Sequence, residues 1–196
     1  MDQTKSIYIY GASGHGRVLA DIALDNGYEE IIFLDDSKGM KFSEDLQKFD
    51  MIIGIGDNKV RFKIQEKVLN LGFKIVNLIH SSAIISRSVE FGKGVVVMPG
   101  AIINAQASIG DGVIVNSGVI VEHECKIGHF AHLSPNVSLA GNVDIGEFSH
   151  MGISSLAIQG IKIGKDVIIG AGAVVIRDVK DSVTAVGVPA KTITKL

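Results

Sequence analysis

From Ile85 onward every sixth residue of this 196-residue chain is apolar: Ile85, Phe91, Val97, Ile103, Ile109, Val115, Val121, Ile127, Leu133, Leu139, Ile145, Met151, Ala157, Ile163, Ile169 and Val175, with no insertion. With 46% hydrophobic residues overall, a chance run of that length has odds on the order of one in 10⁵. Two positions earlier the side chains are mostly small or β-branched, as at Ala107, Val113, Val119, Cys125, Ala131 and Val137. Residues two apart in a strand share a face, so each hexapeptide sends two side chains inward. Gly often follows the apolar position, as in Ile109-Gly110, Ile127-Gly128, Ile145-Gly146 and Ile163-Gly164, and a glycine relieves the steric cost of a corner. Short strands joined by tight corners around a narrow aliphatic core make a parallel β-helix. A β-sandwich would turn about every 8–12 residues with variable spacing, and the unbroken period counts against it.

The first eighty residues lack this period. Ser6–Tyr10 reads as a strand running into Gly11-Ala12-Ser13-Gly14-His15-Gly16, followed by a helix with Val18, Leu19, Ile22 and Ala23 at helical spacing and a stop at Asn26-Gly27. Ile31–Leu34, ending in Asp35-Asp36, and Met51–Ile55 are further strands. Gly56-Asp57-Asn58 opens a second helix closed near Gly72, and Lys74–Ile79 reads as a last strand. Alternating strands and helices predict a small α/β, Rossmann-like parallel sheet. The expected division is residues 1–81 for this unit and 82–196 for the β-helix.

The glycine-rich loop has a mechanical meaning: its N–H groups and the helix N-terminus behind it form an anion site. Asp35 follows at a distance where an acid binds ribose hydroxyls. The loop is not G-x-G-x-x-G, and a tight strand-to-helix turn without a ligand is the alternative. The unit is also too short for a six-stranded dinucleotide domain, so a mononucleotide or nucleotide-sugar fits better than NAD.

Composition excludes other classes. Lys and Arg number 19 against 21 Asp and Glu, which argues against nucleic acid as a partner. A single Cys excludes an intramolecular disulfide. No run of about 18 apolar residues marks a membrane span, and the opening residues do not read as a signal peptide; a cytoplasmic protein is expected.

Four of the six histidines, His123, His129, His132 and His150, fall in the repeat. His132 and His150 each precede an inward residue and should point outward; they stack on one face if a coil holds 18 residues. His123 sits at a corner between Glu122 and Glu124. A carboxylate beside an imidazole stabilises the imidazolium formed when the ring accepts a proton, which suits a general base; a histidine with no chemistry is the alternative. Cys125 occupies an inward position and reads as core packing, because a buried thiol is unreactive. A catalytic zinc needs three protein ligands and an open position. The histidine spacings bring no three onto one metal, so no metal is expected.

The hexapeptide series, with VGVPAK at Val186–Lys191, resembles the left-handed β-helix acyltransferases. That resemblance implies a prism of three hexapeptides per coil, usually assembled as a homotrimer; the left hand comes from the resemblance and runs against the right-handed crossover rule. The γ-type carbonic anhydrases, with their zinc site, share that architecture. The segments IYIYGASGHG, IFLDD, IGDN, FKIVNLIH, EHEC, AGNV and VGVPAK, spanning about residues 5–192, are more closely similar to bacterial acetyltransferases acting on nucleotide-linked amino sugars. Among these the pattern resembles most the UDP-4-amino-sugar N-acetyltransferases that make UDP-N,N′-diacetylbacillosamine for protein glycosylation.

The resemblance implies acetyl-CoA as donor, a UDP-4-amino-sugar as acceptor, and an active site between two subunits. It implies that His123 is the general base and that Glu124 raises its basicity. His132, Gly141, Ile153 and Ala171 would contact acetyl-CoA, with Gly141 offering its N–H to the thioester carbonyl. Ala171 departs from the Gly of the family pattern but still offers an N–H. Ser13, Gly14, His15, Asp35, Asp36 and Gly56 would hold the UDP part. Sialic acid O-acetylation, perosamine N-acetylation and a non-catalytic nucleotide-sugar scaffold are the alternatives.

Overall fold

The computed structural model describes residues 5–193; residues 1–4 and 194–196, the outer ends of the two expected units, lie outside the described residues. β1 (Ser6–Tyr10), α1 (Gly14–Asp25), β2 (Glu30–Leu34), β3 (Asp50–Ile53), α2 (Asn58–Asn70) and β4 (Lys74–Ile75) form a four-stranded sheet with two helices, the strands in the order β2-β1-β3-β4. Every pairing is parallel. β1 is buried along its whole length, as a central parallel strand covered on both sides must be. Ile7 and Ile9 of β1 pack with Leu19, Ile22 and Ala23 of α1, while Tyr8 and Tyr10 pack with Val68 of α2. α2 starts where Asp57 accepts the Val60 N–H at 2.8 Å, a side-chain cap that satisfies one of the free first-turn donors.

The repeat coils into a three-faced left-handed β-helix. Each two-residue strand pairs in parallel with the strand 18 residues on, as Ile114 with His132 and His132 with His150. The first face carries Val96–Val97, Ile114–Val115, His132–Leu133, His150–Met151 and Ile168–Ile169; the second carries Ile84–Ile85, Ile102–Ile103, Ile120–Val121, Ser138–Leu139, Leu156–Ala157 and Val174–Val175; the third carries Glu90–Phe91, Ser108–Ile109, Lys126–Ile127, Asp144–Ile145 and Lys162–Ile163. The two inward side chains of each hexapeptide fuse into one aliphatic column, in which Val113, Val115, Val119 and Val121 are fully buried. The coil ends in an antiparallel pair: Thr184–Val186 continues the first face and Lys191–Ile193 folds back against it, with VGVPAK at the turn.

Two local expectations are corrected. The strand expected over Lys74–Ile79 is two. β4 ends the α/β sheet at Ile75, whereas β5 (Leu78–Ile79) pairs with Val96–Val97 and is the first rung of the first face. Asn77 makes this possible by accepting the Val95 N–H at 2.9 Å and donating to the Gly92 carbonyl at 2.8 Å. The glycines that follow the inward apolar residue are also not the left-handed corner residues. A Cβ at Gly110 would lie 2.7 Å from the His129 nitrogen of the next coil, so these positions are small because coils approach closely there. The positive φ falls two residues later, and side chains such as Glu124, Phe130, Asn142 and Phe148 adopt it.

The three faces meet different surroundings. Val96, Met98 and Ile114 of the first face join the cluster formed by Ile7, Ile22 and Ile52, so the α/β unit covers that face. The second face presents Ile84, Ile102, Ile120, Leu156 and Val174 outward, and Ile84 is 66% exposed. The third presents Glu90, Ser108, Lys126, Asp144 and Lys162.

Candidate active site

Parallel sheets bind ligands at the carboxyl ends of their strands, and the loops after β1, β2 and β3 meet there. A cavity of about 330 Å³ is lined by Tyr10, Ala12, Ser13, Asp35, Asp36 and Ser37, among others. Asp35 organises its rim. One carboxylate oxygen accepts the Ala12 N–H at 3.2 Å; the other accepts the Ser37 N–H, the Ser37 hydroxyl and the Lys38 N–H. The Ser37 hydroxyl is the main reason that the Asp35 carboxyl is held down at about 2, with the backbone donors adding to it. The Tyr10 hydroxyl donates to Asp36 at 2.7 Å; burial first, and then this bond, push the phenol up. Ser13, which lines the cavity, precedes α1 without capping it through its side chain.

On the inner side of the same loops, His15 and Gly56 approach the β-helix. The rings of His132 and His150 stack 4.7 Å apart with planes 4° from parallel. His132 bonds to the Gly56 backbone and lies 3.3 Å from the Asn116 amide. His150 lies 2.8 Å from the Ser134 hydroxyl. Burial drives His132 down to about 3, with the charges of His150, Arg61 and His15 acting the same way. Burial and Arg61 likewise lower His15 to about 4 and lower His150. These are neutral imidazoles near pH 7. A cleft of about 310 Å³ continues from Gly56 and Asn58 past His150 to Thr184.

His123 stands elsewhere, at the corner between the second and third faces. Its Nδ1 is 3.1 Å from the Glu124 carboxylate, and both side chains are more than half exposed. Gly141 lies one coil above. A Cβ there would fall 2.5 Å from Cε1 and 2.6 Å from Nε2 of His123, so only glycine leaves room for the ring. The Gly141 N–H has no hydrogen-bond partner among the described residues, and neither do those of Ile153 and Ala171. Ile153 and Ala171 stack at the corner between the first and second faces, where the Gly172 N–H donates to the Ile153 carbonyl at 2.8 Å. Cys125 is fully buried, and burial pushes its thiol up.

One chain therefore carries two separate groups of candidate residues. Ser13, Asp35 and Asp36 share the nucleotide-sized cavity, with Gly14 behind them at the start of α1, while His15, Gly56 and His132 meet on its inner side. His123, Glu124 and Gly141 form a second constellation. In a three-faced prism, the corner between the second and third faces lies opposite the first. Ile153 and Ala171 lie at neither place. Among the described residues, no three His, Cys, Asp or Glu side chains converge where a metal could sit. Sequence reasoning passes over Tyr10 and Arg61. It places His150 on an outer face with His132 without giving it a part in the site; the 18-residue spacing is the signal for their stacking.

The PglD N-terminal domain family matches residues 6–68. UDP-N-acetylbacillosamine N-acetyltransferase of Bacillus subtilis (strain 168) is 35% identical over 112 residues, 48% of this chain and 51% of that protein. The uncharacterized protein L142 of Acanthamoeba polyphaga mimivirus is 37% identical over 100 residues, 45% of this chain and 20% of that protein. The matches thus span about half or less of these curated relatives. Solved structures match over nearly the whole length. The acetyltransferase domain of PglB from Neisseria gonorrhoeae FA1090 is 38% identical, with a TM-score of 0.92 over 96% of this chain and 100% of that one; it has also been solved in complex with acetyl coenzyme A. PerB from Caulobacter crescentus, in complex with CoA and GDP-perosamine, is 38% identical, with a TM-score of 0.90 over 96% of this chain and 97% of that one. A short parallel α/β unit followed by a left-handed β-helix defines a class, and the chain belongs to it: the hexapeptide-repeat nucleotide-sugar acetyltransferases.

Proposed function

We propose that the chain transfers the acetyl group of acetyl-CoA to the amino group of a nucleotide-linked amino sugar, with UDP-linked 4-amino-4,6-dideoxy-N-acetylglucosamine as acceptor and UDP-N,N′-diacetylbacillosamine as product. The observation that carries this reading is the His123 ring lying against Gly141, with Glu124 at Nδ1. A carboxylate at Nδ1 favours the tautomer with its proton there and leaves Nε2 as acceptor. The sugar amine attacks the thioester carbonyl carbon as Nε2 takes its proton. The free Gly141 N–H donates to the oxyanion that develops. The C–S bond then breaks, and the CoA thiolate leaves with a proton. In this scheme, Ile153 and Ala171 offer the donor unbonded N–H groups along their own corner, between the first and second faces, and His132 stands near the acetyl group. Ser13, Gly14, His15, Asp35, Asp36 and Gly56 hold the nucleotide.

The opposed half-sites support a homotrimer in which the nucleotide unit of one subunit meets the His123 corner of another. The uncovered apolar second face is the surface available for that contact. Perosamine N-acetylation is the second reading, favoured by the likeness to the Caulobacter protein.

The test is thiol release from acetyl-CoA, with the UDP-4-amino-sugar, GDP-perosamine and free or CMP-linked sialic acid in parallel. Fast turnover with the UDP-sugar alone is expected. Turnover with GDP-perosamine or sialic acid instead overturns the acceptor, and none with any of them moves the protein to a non-catalytic nucleotide-sugar role.

A further inference from the structure

Burying a guanidinium costs several kcal/mol unless its donors are met. Arg61, in the first turn of α2, is 1% exposed. Its five N–H donors meet five neutral oxygens. Inside the α/β unit these are the Ile55 carbonyl at 3.0 Å, the Gly56 carbonyl at 2.9 Å and the Asn58 side chain at 2.8 Å. On the β-helix they are the carbonyls of Gly112 at 2.7 Å and Phe130 at 2.9 Å.

Gly112 and Phe130 occupy the same corner position on successive coils, and the next two coils carry the series on. Asn58 donates to the Phe148 carbonyl at 2.8 Å, and Lys59 pairs with Asp166 at 2.8 Å. Gly112, Phe130, Phe148 and Asp166 are all in the left-handed conformation. The start of α2 therefore bonds to one corner position on four consecutive coils. Phe62 completes the contact by packing edge-on against Phe130 and Phe148.

We propose that Arg61 is a positioning residue of the nucleotide-sugar site, fixing the Gly56 loop against the β-helix and so setting the crevice in which Gly56, His15 and His132 meet. The same guanidinium that grips the Gly56 carbonyl stands beside the backbone group that holds the His132 ring. It is also the cation facing the histidines: His15 from α1, and His132 and His150 from the first face, all carry its charge among the causes of their lowered values. Burial lowers Arg61 itself only to about 10, with Asp57 opposing, so it stays charged at neutral pH. A fold-stabilising clamp needs no particular tie to Gly56. Here two of the five bonds go to the loop that carries it.

The inference rests on reading the crevice as the nucleotide-sugar site, so one arm of its test is independent of turnover. In the full chain, Arg61→Met and Arg61→Lys are compared with the wild type for kinetics in both substrates and for histidine titration by NMR. A displaced binding loop costs on the order of 10²-fold in kcat/KM. That loss is expected mainly as a raised KM for the nucleotide-sugar, with KM for acetyl-CoA little changed. Lysine has three donors and no planar fork, so Arg61→Lys should fail to restore KM while keeping His15 and His132 low; Arg61→Met removes the charge and should let both rise, with burial, the larger cause, still holding them below the ordinary value. Variants that remain folded, with only a lower Tm and an unchanged nucleotide-sugar KM, overturn the proposal. If neither variant folds, Asn58→Ala removes one of the guanidinium's five acceptors and the bond to the Phe148 carbonyl, so the start of α2 is loosened from the β-helix while Arg61 keeps its bonds to Ile55 and Gly56, and an unchanged KM there overturns the proposal equally. If the wild type turns over no nucleotide-sugar, the functional reading fails by itself. Positioning then stands on the Gly56 amide and His132 ring signals moving in Arg61→Lys, which keeps the charge and loses the planar fork, and falls if they do not move.

Discussion

The two units assemble their shares of the proposed site by different rules. In the β-helix, contacts recur at a spacing of 18: His123 lies beneath Gly141, His132 beneath His150, and Ile153 beneath Ala171. In the α/β unit, Ser13, Asp35 and Gly56 come from three loops whose meeting follows from strand order alone. The solenoid's half depends on a local fit that one atom can spoil. The sheet's half is spread over several bonds, and Asp35 alone accepts four. Regularity makes geometry legible but leaves little slack, whereas convergence of loops conceals geometry but distributes it.

The largest effect should come from the solenoid corner. His123→Ala is expected to lower kcat by about 10²–10⁴, and Gly141→Val should do comparable harm by driving the ring off its seat. Steady-state thiol release measures both, and a loss under about threefold for His123→Ala would place the base elsewhere. The opposition of the two halves makes a sharper demand. His123→Ala and Asp36→Ala are each expected to be nearly inactive, yet to recover activity when their subunits are mixed and reassembled. No recovery on mixing, with exchange verified by mass, would confine the site to one chain.

A smaller effect separates the crevice from the corner by pH. His15 and His132 have folded-state values of about 4 and about 3, below the ordinary value of about 6.5. Below that pH the unfolded chain binds more protons than the folded one. Their contribution to stability is therefore complete above it and is lost as pH falls toward the folded values. Each can contribute up to about 1.4 kcal/mol per pH unit in that window. His132→Gln should flatten the fall in urea midpoint between about pH 7 and pH 5, and an unaltered slope would refute the assignment. The smallest change is expected at Glu124. Because the His123–Glu124 pair is more than half exposed, solvent screens it, and Glu124→Gln should cost less than about fivefold in kcat. A loss as large as that of His123→Ala would give the carboxylate a direct part in proton transfer.

Most of the architecture is legible without coordinates. The inward column from Val97 to Val175 and the strand-loop-helix that carries Ser13 follow from periodicity and turn chemistry, and the outward stacking of His132 and His150 follows once the family resemblance sets the coil at 18 residues. The misreadings share one cause, a partner distant along the chain. Lys74–Ile79 is uniformly strand-like, but Asn77 breaks it through bonds to Gly92 and Val95, which no local pattern announces. The corner glycines mislead because crowding by the next coil and a positive φ both select glycine. Arg61 looks like any polar residue of an amphipathic helix, since the carbonyls that justify its burial lie 51 and 69 residues away.

What the amino-acid order determined by itself was what repeats every six residues: the short strands, the corners between them, and the side chains turned inward. A strict period of six leaves those inward positions no freedom. Tertiary structure alone decided which face the α/β unit would cover, that Arg61 would be buried there, and that the His123 corner would lie opposite that face. Those outcomes depend on two surfaces with unrelated periods finding bonds for every buried donor, and such a match is set in space rather than along the chain.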